Sequence, residues 1–298
     1  MNLAIVGTGA MAKFYAAAFR TLTPTLIGRQ SGGPFILSDN GHTEVLNPPF
    51  LPWQAAAGIS WDVVILAVKW PAMPLVQSLM TQVPSGSLVI SLMNGMGQEE
   101  ALIPPLDPSQ LAAGMTTDAV TGTWDESRGL PAFTVTAHGE TMVPWLPHPS
   151  MPLWQNTVAD LGLSWKFLPQ GSVLHHRWVK LVQNSLINPL SALANVPNGM
   201  LPDMPLWNLA PALLHEARTV ARAAGIVLGP DLDAQVVRLA RATARNISSM
   251  LQDVRKNRVT EIDAINGYLL RCAAGYGIEI PVHRALVQLI HALSSQAC

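Results

Sequence analysis

The sequence predicts an α/β fold in its first half, a doubly wound parallel sheet, followed by an all-α domain, and three observations carry that division. Short uninterrupted apolar runs alternate with helical patterns up to about residue 169. From Gly171 onward the strand signal stops and helical spacing takes over, punctuated by Pro189, Pro197, Pro202, Pro205, Pro211, Pro230 and Pro281. The length of 298 residues also exceeds the roughly 100–200 residues of one ordinary domain. Two domains are expected, 1–169 and 170–298.

Taken in order, Leu3–Val6, Thr25–Ile27, Val63–Val68 and Leu88–Leu92 are continuous apolar runs, as strands covered on both faces require. The segments between them are long enough for crossovers. Between the second and third runs, Phe35 to Val45 alternates around Asn40-Gly41, a strong hairpin signal. Phe133 to Val143 reads as a second antiparallel pair turning near His138-Gly139, and Met142 to Pro152, rich in Pro and Trp, reads as a loop. No fixed-period repeat or low-complexity tract interrupts the chain, which argues against solenoids and disordered tails.

Charged residues make up 12% of the chain against 49% hydrophobic, about half the roughly 25% charge of an average soluble protein. The exposed charged area must be small, and a homodimer interface would account for that. A net charge of -1 and a pI near 6.7 supply no basic field for nucleic acid or an anionic membrane. Small-molecule chemistry is favoured.

Cys272 and Cys298 form no framework for disulfides or metal, and His175, His176, His215, His283 and His291 show no ligand-like spacing. The opening Met-Asn-Leu-Ala-Ile-Val-Gly lacks a basic n-region, and no apolar run approaches the roughly 18 residues of a membrane span. A cytoplasmic protein is expected.

Gly7-Thr8-Gly9-Ala10-Met11-Ala12 follows the first strand directly and opens a helix running to about Arg20. This is the G-x-G-x-x-A form of the dinucleotide-binding fingerprint. Gly7 permits the tight turn, Gly9 lets the backbone approach a pyrophosphate, and Ala12 lets the helix pack closely on the sheet. The N–H groups of this Gly7 to Met11 stretch face the phosphates. At the end of the second strand, where NAD enzymes place an acid for the ribose hydroxyls, the chain reads Leu26-Ile27-Gly28-Arg29, and no Asp or Glu precedes Asp39. Arg29 is suited to gripping a 2′-phosphate, so NADPH is expected over NADH. Lys69, at the end of the third run, reads either as a phosphate or ribose contact or as a solvated side chain. Asn94-Gly95-Met96-Gly97, after the fourth, reads as turn chemistry that admits close backbone approach.

The helix beginning near Ser172 carries Lys180, Asn184 and Asn188 at steps of four, each displaced about 40° around the axis. They form one polar stripe on a helix otherwise lined by Trp178, Val179, Leu181, Val182, Leu186 and Ile187, which should be buried. A Lys there needs a partner or a purpose. Pro189 should kink or end the helix and free carbonyls near a ligand. A second polar cluster runs from Asn246 to Asp253 and on to Thr260-Glu261-Ile262-Asp263. Thr260 and Asp263 have capping-box spacing, which would start a helix at Glu261. Glu261 reads either as complementing that helix's positive end or as a site carboxylate.

On these residues the chain resembles the ketopantoate reductases. The matching stretches are Ile5 to Met11, Val68-Lys69, Asn94 to Gly97, Gly114 to Thr117, Lys180 to Ala192, Asn246 to Asp253 and Thr260 to Gly267. The resemblance implies a Rossmann domain plus a helical domain, with NADPH and a 2-oxo acid in the cleft between them. It implies Lys180 as the general acid and Glu261 as its assistant at the reacting centre. Asn184, Asn188, Asn246 and Ser249 would hold the substrate's hydroxyl and carboxylate ends, Asn94 would touch nicotinamide and substrate, and Arg29 would meet the 2′-phosphate. The family often places a Gln a few residues after the strand-end lysine, where this chain reads Lys69-Trp70-Pro71-Ala72.

The chemistry agrees with that assignment. Hydride arriving at a carbonyl carbon builds negative charge on oxygen, which a cation stabilises before giving up its proton. Burial alone would discharge Lys180, and a carboxylate such as Glu261 would keep it protonated. Two rivals stand beside this reading. One is a reductase of another 2-oxo acid on the same scaffold. The other is a non-catalytic NADP(H)-binding sensor, which would have no use for a proton donor.

Overall fold

The computed structural model describes residues 1–29, 32–56 and 58–295; Cys298 lies outside them. The chain divides into two compact units. The first takes in Met1–Met93 and Gln98–Val173, and the second takes in Asn94–Gly97 and the chain from Leu174 onward.

In chain order the first unit holds β1 (Leu3–Val6), α1 (Ala10–Ala18), β2 (Thr25–Gly28), β3 (Phe35–Asp39), β4 (His42–Leu46), β5 (Phe50–Pro52), β6 (Val63–Leu66), α2 (Met73–Met80), β7 (Leu88–Ser91) and α3 (Gln98–Leu102). It continues with β8 (Leu111–Ala113), β9 (Met115–Thr116), β10 (Ala119–Asp125), β11 (Leu130–Ala137), β12 (Thr141–Pro144), α4 (Met151–Asp160) and β13 (Trp165–Leu168). Six strands form one sheet in the order β5-β2-β1-β6-β7-β8, and every pairing in it is parallel. Strand order reverses between β1 and β6, and ligands bind outside the carboxyl ends of the strands at such a switch point.

The uninterrupted apolar runs follow from burial on both faces. Leu3 and Ile5 pack with Phe14, Tyr15, Phe19 and Trp154. Their neighbours Ala4 and Val6 pack with Val64, Leu66, Met73 and Val76 on the other face. Each fully buried Leu, Ile or Val contributes about 1.5–3 kcal/mol.

The predicted hairpin is present. β3 pairs antiparallel with β4, and Asn40 and Gly41 both have positive φ, 47° and 81°, the backbone a two-residue I′ turn demands. The second predicted hairpin is not. β11 pairs antiparallel with β10 and parallel with β3, whereas β12 joins a separate sheet between β13 and β9. The chain leaves one sheet for the other at His138–Glu140. There the Gly139 N–H donates to Asp118 Oδ1 at 2.8 Å and the Glu140 N–H to Thr117 Oγ1 at 2.8 Å. These long-range bonds displace the local turn. Nor is Met142 to Pro152 all loop, since Met142–Pro144 lies in β12 and Met151-Pro152 opens α4. The third apolar run stops as a strand at Leu66, short of the expected Val68.

The second unit follows with α5 (Gln170–Ala194), α6 (Ala210–Ala223), α7 (Leu232–Ala242), α8 (Ser249–Arg255), α9 (Asn266–Gly275) and α10 (Pro281–Ser295). The first turn of α5, up to Val173, belongs to the first unit. Trp178, Leu181, Val182, Leu186 and Leu190 of α5 pack against Leu213, Ala217 and Val220 of α6 and Leu269 of α9, so α5 is buried as its composition requires. It does not end at Pro189 but runs through it to Ala194. The Ser185 carbonyl, which Pro189 cannot bond, accepts from Asn266 Nδ2 at 2.9 Å instead. That carbonyl is therefore not free for a ligand.

The helix expected at Glu261 is also revised. Ile262–Ala264 make one 3-10 turn, and the α-helix begins at Asn266. The Ala264 carbonyl is taken by the Met96 N–H at 2.9 Å and Ile265 leaves helical geometry with φ -105° and ψ -90°. Asp263 turns to His291 rather than capping. No described helix is long and apolar enough to cross a membrane.

Candidate active site

The first unit places the candidate dinucleotide-binding residues at the ends of β1 and β2. Gly7 has φ 136°, and a Cβ there would lie 2.5 Å from the Ala67 carbonyl oxygen, so only glycine lets β1 turn this close to the end of β6. At Gly28 a Cβ would meet the Thr8 side chain at 2.5 Å, so a larger residue would displace Thr8. Gly9 is different. Its φ of -81° and ψ of -174° suit any residue, and a Cβ there would meet nothing within 4 Å. Neither backbone nor packing explains a glycine at this position, which leaves room for the close approach of a ligand. Gly9 caps α1 with no side-chain hydrogen bond, and no acid occupies the first turn. The leading N–H groups of the helix thus face outward with the positive end of its dipole. Thr8 and Arg29 are exposed, and Ala10 and Met11 are half-buried. Lys69 lies in extended backbone, three residues past the end of β6.

Beside these residues, Lys13 of α1 is buried at 5% exposure, with its ammonium 4.5 Å from the Phe35 ring centroid. Burial pulls its pKa down to about 8.

The second unit gathers the candidate catalytic side chains. Lys180 Nζ donates to Asn94 Oδ1 at 3.0 Å. Asn94 Nδ2 in turn donates to Glu261 Oε2 at 3.4 Å. The one amide therefore bonds both the cation and the carboxylate, meeting each with the complementary atom. Glu261 is 4% exposed, too deep for an acid that merely complements a surface helix end. Gly95 makes the arrangement possible. It has φ 77°, and a Cβ there would collide with the Ala264 carbonyl oxygen, so the residues after β7 lie directly on the turn that follows Glu261.

Asn184 and Asn188 continue the α5 stripe from Lys180. Ser191, three residues beyond Asn188, meets Ser248 oxygen to oxygen at 2.6 Å, and Ser248 Oγ accepts from the Leu251 N–H at the start of α8. Ser249 is the first residue of that helix, and Asn246 is held by the Asn198 N–H on its carbonyl at 3.0 Å. Among the described residues, the side chains of Asn184, Asn188, Asn246 and Ser249 make no hydrogen bond to the protein, whereas Ser185, Ser191, Asn198, Ser248 and Asn266 nearby all do. The bridging position of Asn94 and the place of Asn266 under α5 were not legible from spacing, because both depend on segments far apart in sequence. No group of three or more metal-ligating side chains among the described residues could hold a metal ion.

Residues 3–127 match the family model for ketopantoate reductase PanE/ApbA, and residues 172–294 match the model for its C-terminal part. The 2-dehydropantoate 2-reductase of Shigella flexneri is 31% identical over 242 residues, covering 79% of this chain and 75% of that protein. The enzyme of the same name from Vibrio cholerae is 28% identical, covering 98% of each. The fold is shared with a ketopantoate reductase from Ralstonia eutropha at TM-score 0.84 and 24% identity, over all of this chain and 99% of that one. A D-mandelate dehydrogenase solved with NADH and anilino(oxo)acetate shares it at TM-score 0.86 and 20% identity, with the same coverage. With both halves matched and the motif residues at Lys180, Asn94 and Glu261 linked, this chain belongs to the ketopantoate reductase family.

Proposed function

We propose that the chain reduces 2-dehydropantoate (ketopantoate) to pantoate with NADPH, a step toward pantothenate and coenzyme A. The observation that carries the reading is the Lys180–Asn94–Glu261 relay, accompanied by four polar side chains that make no hydrogen bond among the described residues. NADPH when bound supplies the hydride. Gly7, Thr8, Gly9, Ala10 and Met11 would hold its pyrophosphate, Arg29 its 2′-phosphate, and Lys69 a phosphate or ribose oxygen.

Lys180 faces the charge that builds on the substrate's carbonyl oxygen, stabilises it and passes it a proton. Asn94 keeps the ammonium aimed and touches nicotinamide and substrate, while Glu261 balances its charge. Asn184, Asn188, Asn246 and Ser249 bond the substrate's hydroxyl and carboxylate ends, which suits neutral donors better than a second buried charge. The protein acts on a small molecule, not on nucleic acid or membrane, in the cytoplasm. The low charge content and the exposed Leu289 and Leu293 of α10 support a homodimer, which light scattering measures.

A panel of 2-oxo acids assayed by NADPH oxidation tests the substrate. Ketopantoate is expected to give the highest kcat/KM, and a better substrate in the panel would overturn the choice. The second reading, a reductase of another 2-oxo acid, is the outcome of that same panel, since this fold also carries a mandelate dehydrogenase. A non-catalytic sensor is disfavoured by the retained relay.

A further inference from the structure

A proline inside a helix normally strands the carbonyl four residues back and crowds it outward. In α5 the stranded group is the Ser185 carbonyl, which lies in the turn between Asn184 and Asn188. Asn266 Nδ2 donates to it at 2.9 Å, from the first residue of α9 and five residues after Glu261. The same Nδ2 contacts His283 Nδ1 at 2.9 Å, and His283 Nε2 contacts the Leu213 carbonyl at 3.1 Å. Since a carbonyl only accepts, His283 carries its proton on Nε2 and accepts on Nδ1. Burial, which holds the His283 pKa below the ordinary histidine range, favours this neutral form. Glu216 fixes the ring from behind by accepting the N–H groups of Val282 and His283, both at 3.0 Å.

Asn266 and His283 are both fully buried. The remaining amide atom, Asn266 Oδ1, is buried without a partner. Turning the amide over would aim that oxygen at two acceptors, so the network admits one orientation only. An arrangement that leaves one atom unsatisfied to keep another bonded points to what the bonded atom does.

We propose that Asn266 is a positioning residue for substrate, standing in for the N–H that Pro189 lacks and so holding the Asn184–Asn188 turn of α5 in line with Lys180. This rests on the reading of Asn184 and Asn188 as substrate ligands. Lys180 lies more than a turn before Ser185, with helical bonds of its own, and the cofactor cradle is in the other unit. Loss of Asn266 therefore falls on substrate binding rather than on proton transfer or cofactor affinity.

The test uses Asn266→Ala, Pro189→Ala and the double variant in the full chain. Asn266→Ala is expected to raise KM for the 2-oxo acid roughly tenfold, as an unsatisfied buried carbonyl shifts the turn, with kcat and the NADPH Kd changed less than about threefold. Pro189→Ala alone should resemble wild type. In the double variant the Pro189→Ala change restores the missing backbone N–H, so KM should return to near its wild-type value, while the thermal midpoint should rise above that of Asn266→Ala without full recovery, because His283 Nδ1 still lacks its donor. An unchanged KM in Asn266→Ala, a loss confined to kcat, or a double variant that is not rescued would each overturn the proposal. If Asn266→Ala does not fold, the double variant alone decides by the same criterion. A wild-type chain that reduces no 2-oxo acid would overturn the functional reading instead, and partial rescue of the thermal midpoint would still decide whether Asn266 replaces the proline's N–H.

Discussion

Lys180 and Asn94 are joined by a 3.0 Å hydrogen bond from ammonium to amide oxygen, although 86 residues separate them. Asn94 follows a strand of the nucleotide-binding sheet in sequence but belongs with the helical unit in space. Its other end meets Glu261. A neutral amide can serve a cation and an anion at once, because its oxygen accepts from the ammonium while its nitrogen donates to the carboxylate.

Lys180→Ala should lower kcat by about 10²–10⁴-fold, the usual worth of a positioned general acid. NADPH binding, followed by fluorescence titration, should stay within about twofold of wild type. Turnover equal to wild type would remove Lys180 from the mechanism.

Arg29→Ala should weaken NADPH binding by about 10–100-fold, the value of lost charge-assisted hydrogen bonds to a phosphate. Affinity for NADH should hardly move. A wild-type chain that prefers NADH would make Arg29 an ordinary surface side chain.

Gly95→Ala drives a Cβ into the Ala264 carbonyl oxygen at a residue with φ 77°. The loop must lift, and Asn94 moves with it. We expect kcat/KM to fall at least about tenfold, with the thermal midpoint showing that the fold persists. Wild-type kinetics would mean that the relay tolerates displacement.

Lys13 gives the stability a pH dependence of known sign. Its pKa is about 8 in the folded chain against 10.5 for an ordinary lysine. Between those values the unfolded chain binds more protons, so this group's penalty is full below pH 8 and fades as pH rises toward 10.5. The contact with the Phe35 ring offsets part of it. Lys13→Met should raise the thermal midpoint at pH 7 by a few degrees and flatten its rise between about pH 8 and 10. A lower midpoint would show that the ring contact outweighs desolvation.

Legibility followed the range of the interactions. β1, β6 and β7 were readable because burial on both faces leaves an uninterrupted apolar run, and the β3–β4 turn because Asn40-Gly41 carries its backbone angles locally. The false hairpin at Phe133–Val143 shows the converse. Its turn residues are plausible, yet Asp118 and Thr117 capture Gly139 and Glu140 from over 20 residues away and send the chain into another sheet. Pro189 misled for the same reason, since the donor that rescues the helix comes from Asn266.

The sequence by itself determined the sheet's central strands, the glycine turn at Gly7 that ends β1, and the Lys180–Asn184–Asn188 stripe, because each rests on burial pattern, backbone preference or helical period. Only the tertiary structure decided that Asn94 bridges Lys180 and Glu261, that Gly95 is required by Ala264, and that α5 survives its proline. Those outcomes are hydrogen bonds and close approaches between distant segments, and such contacts exist only once the burial of apolar surface has brought the segments together.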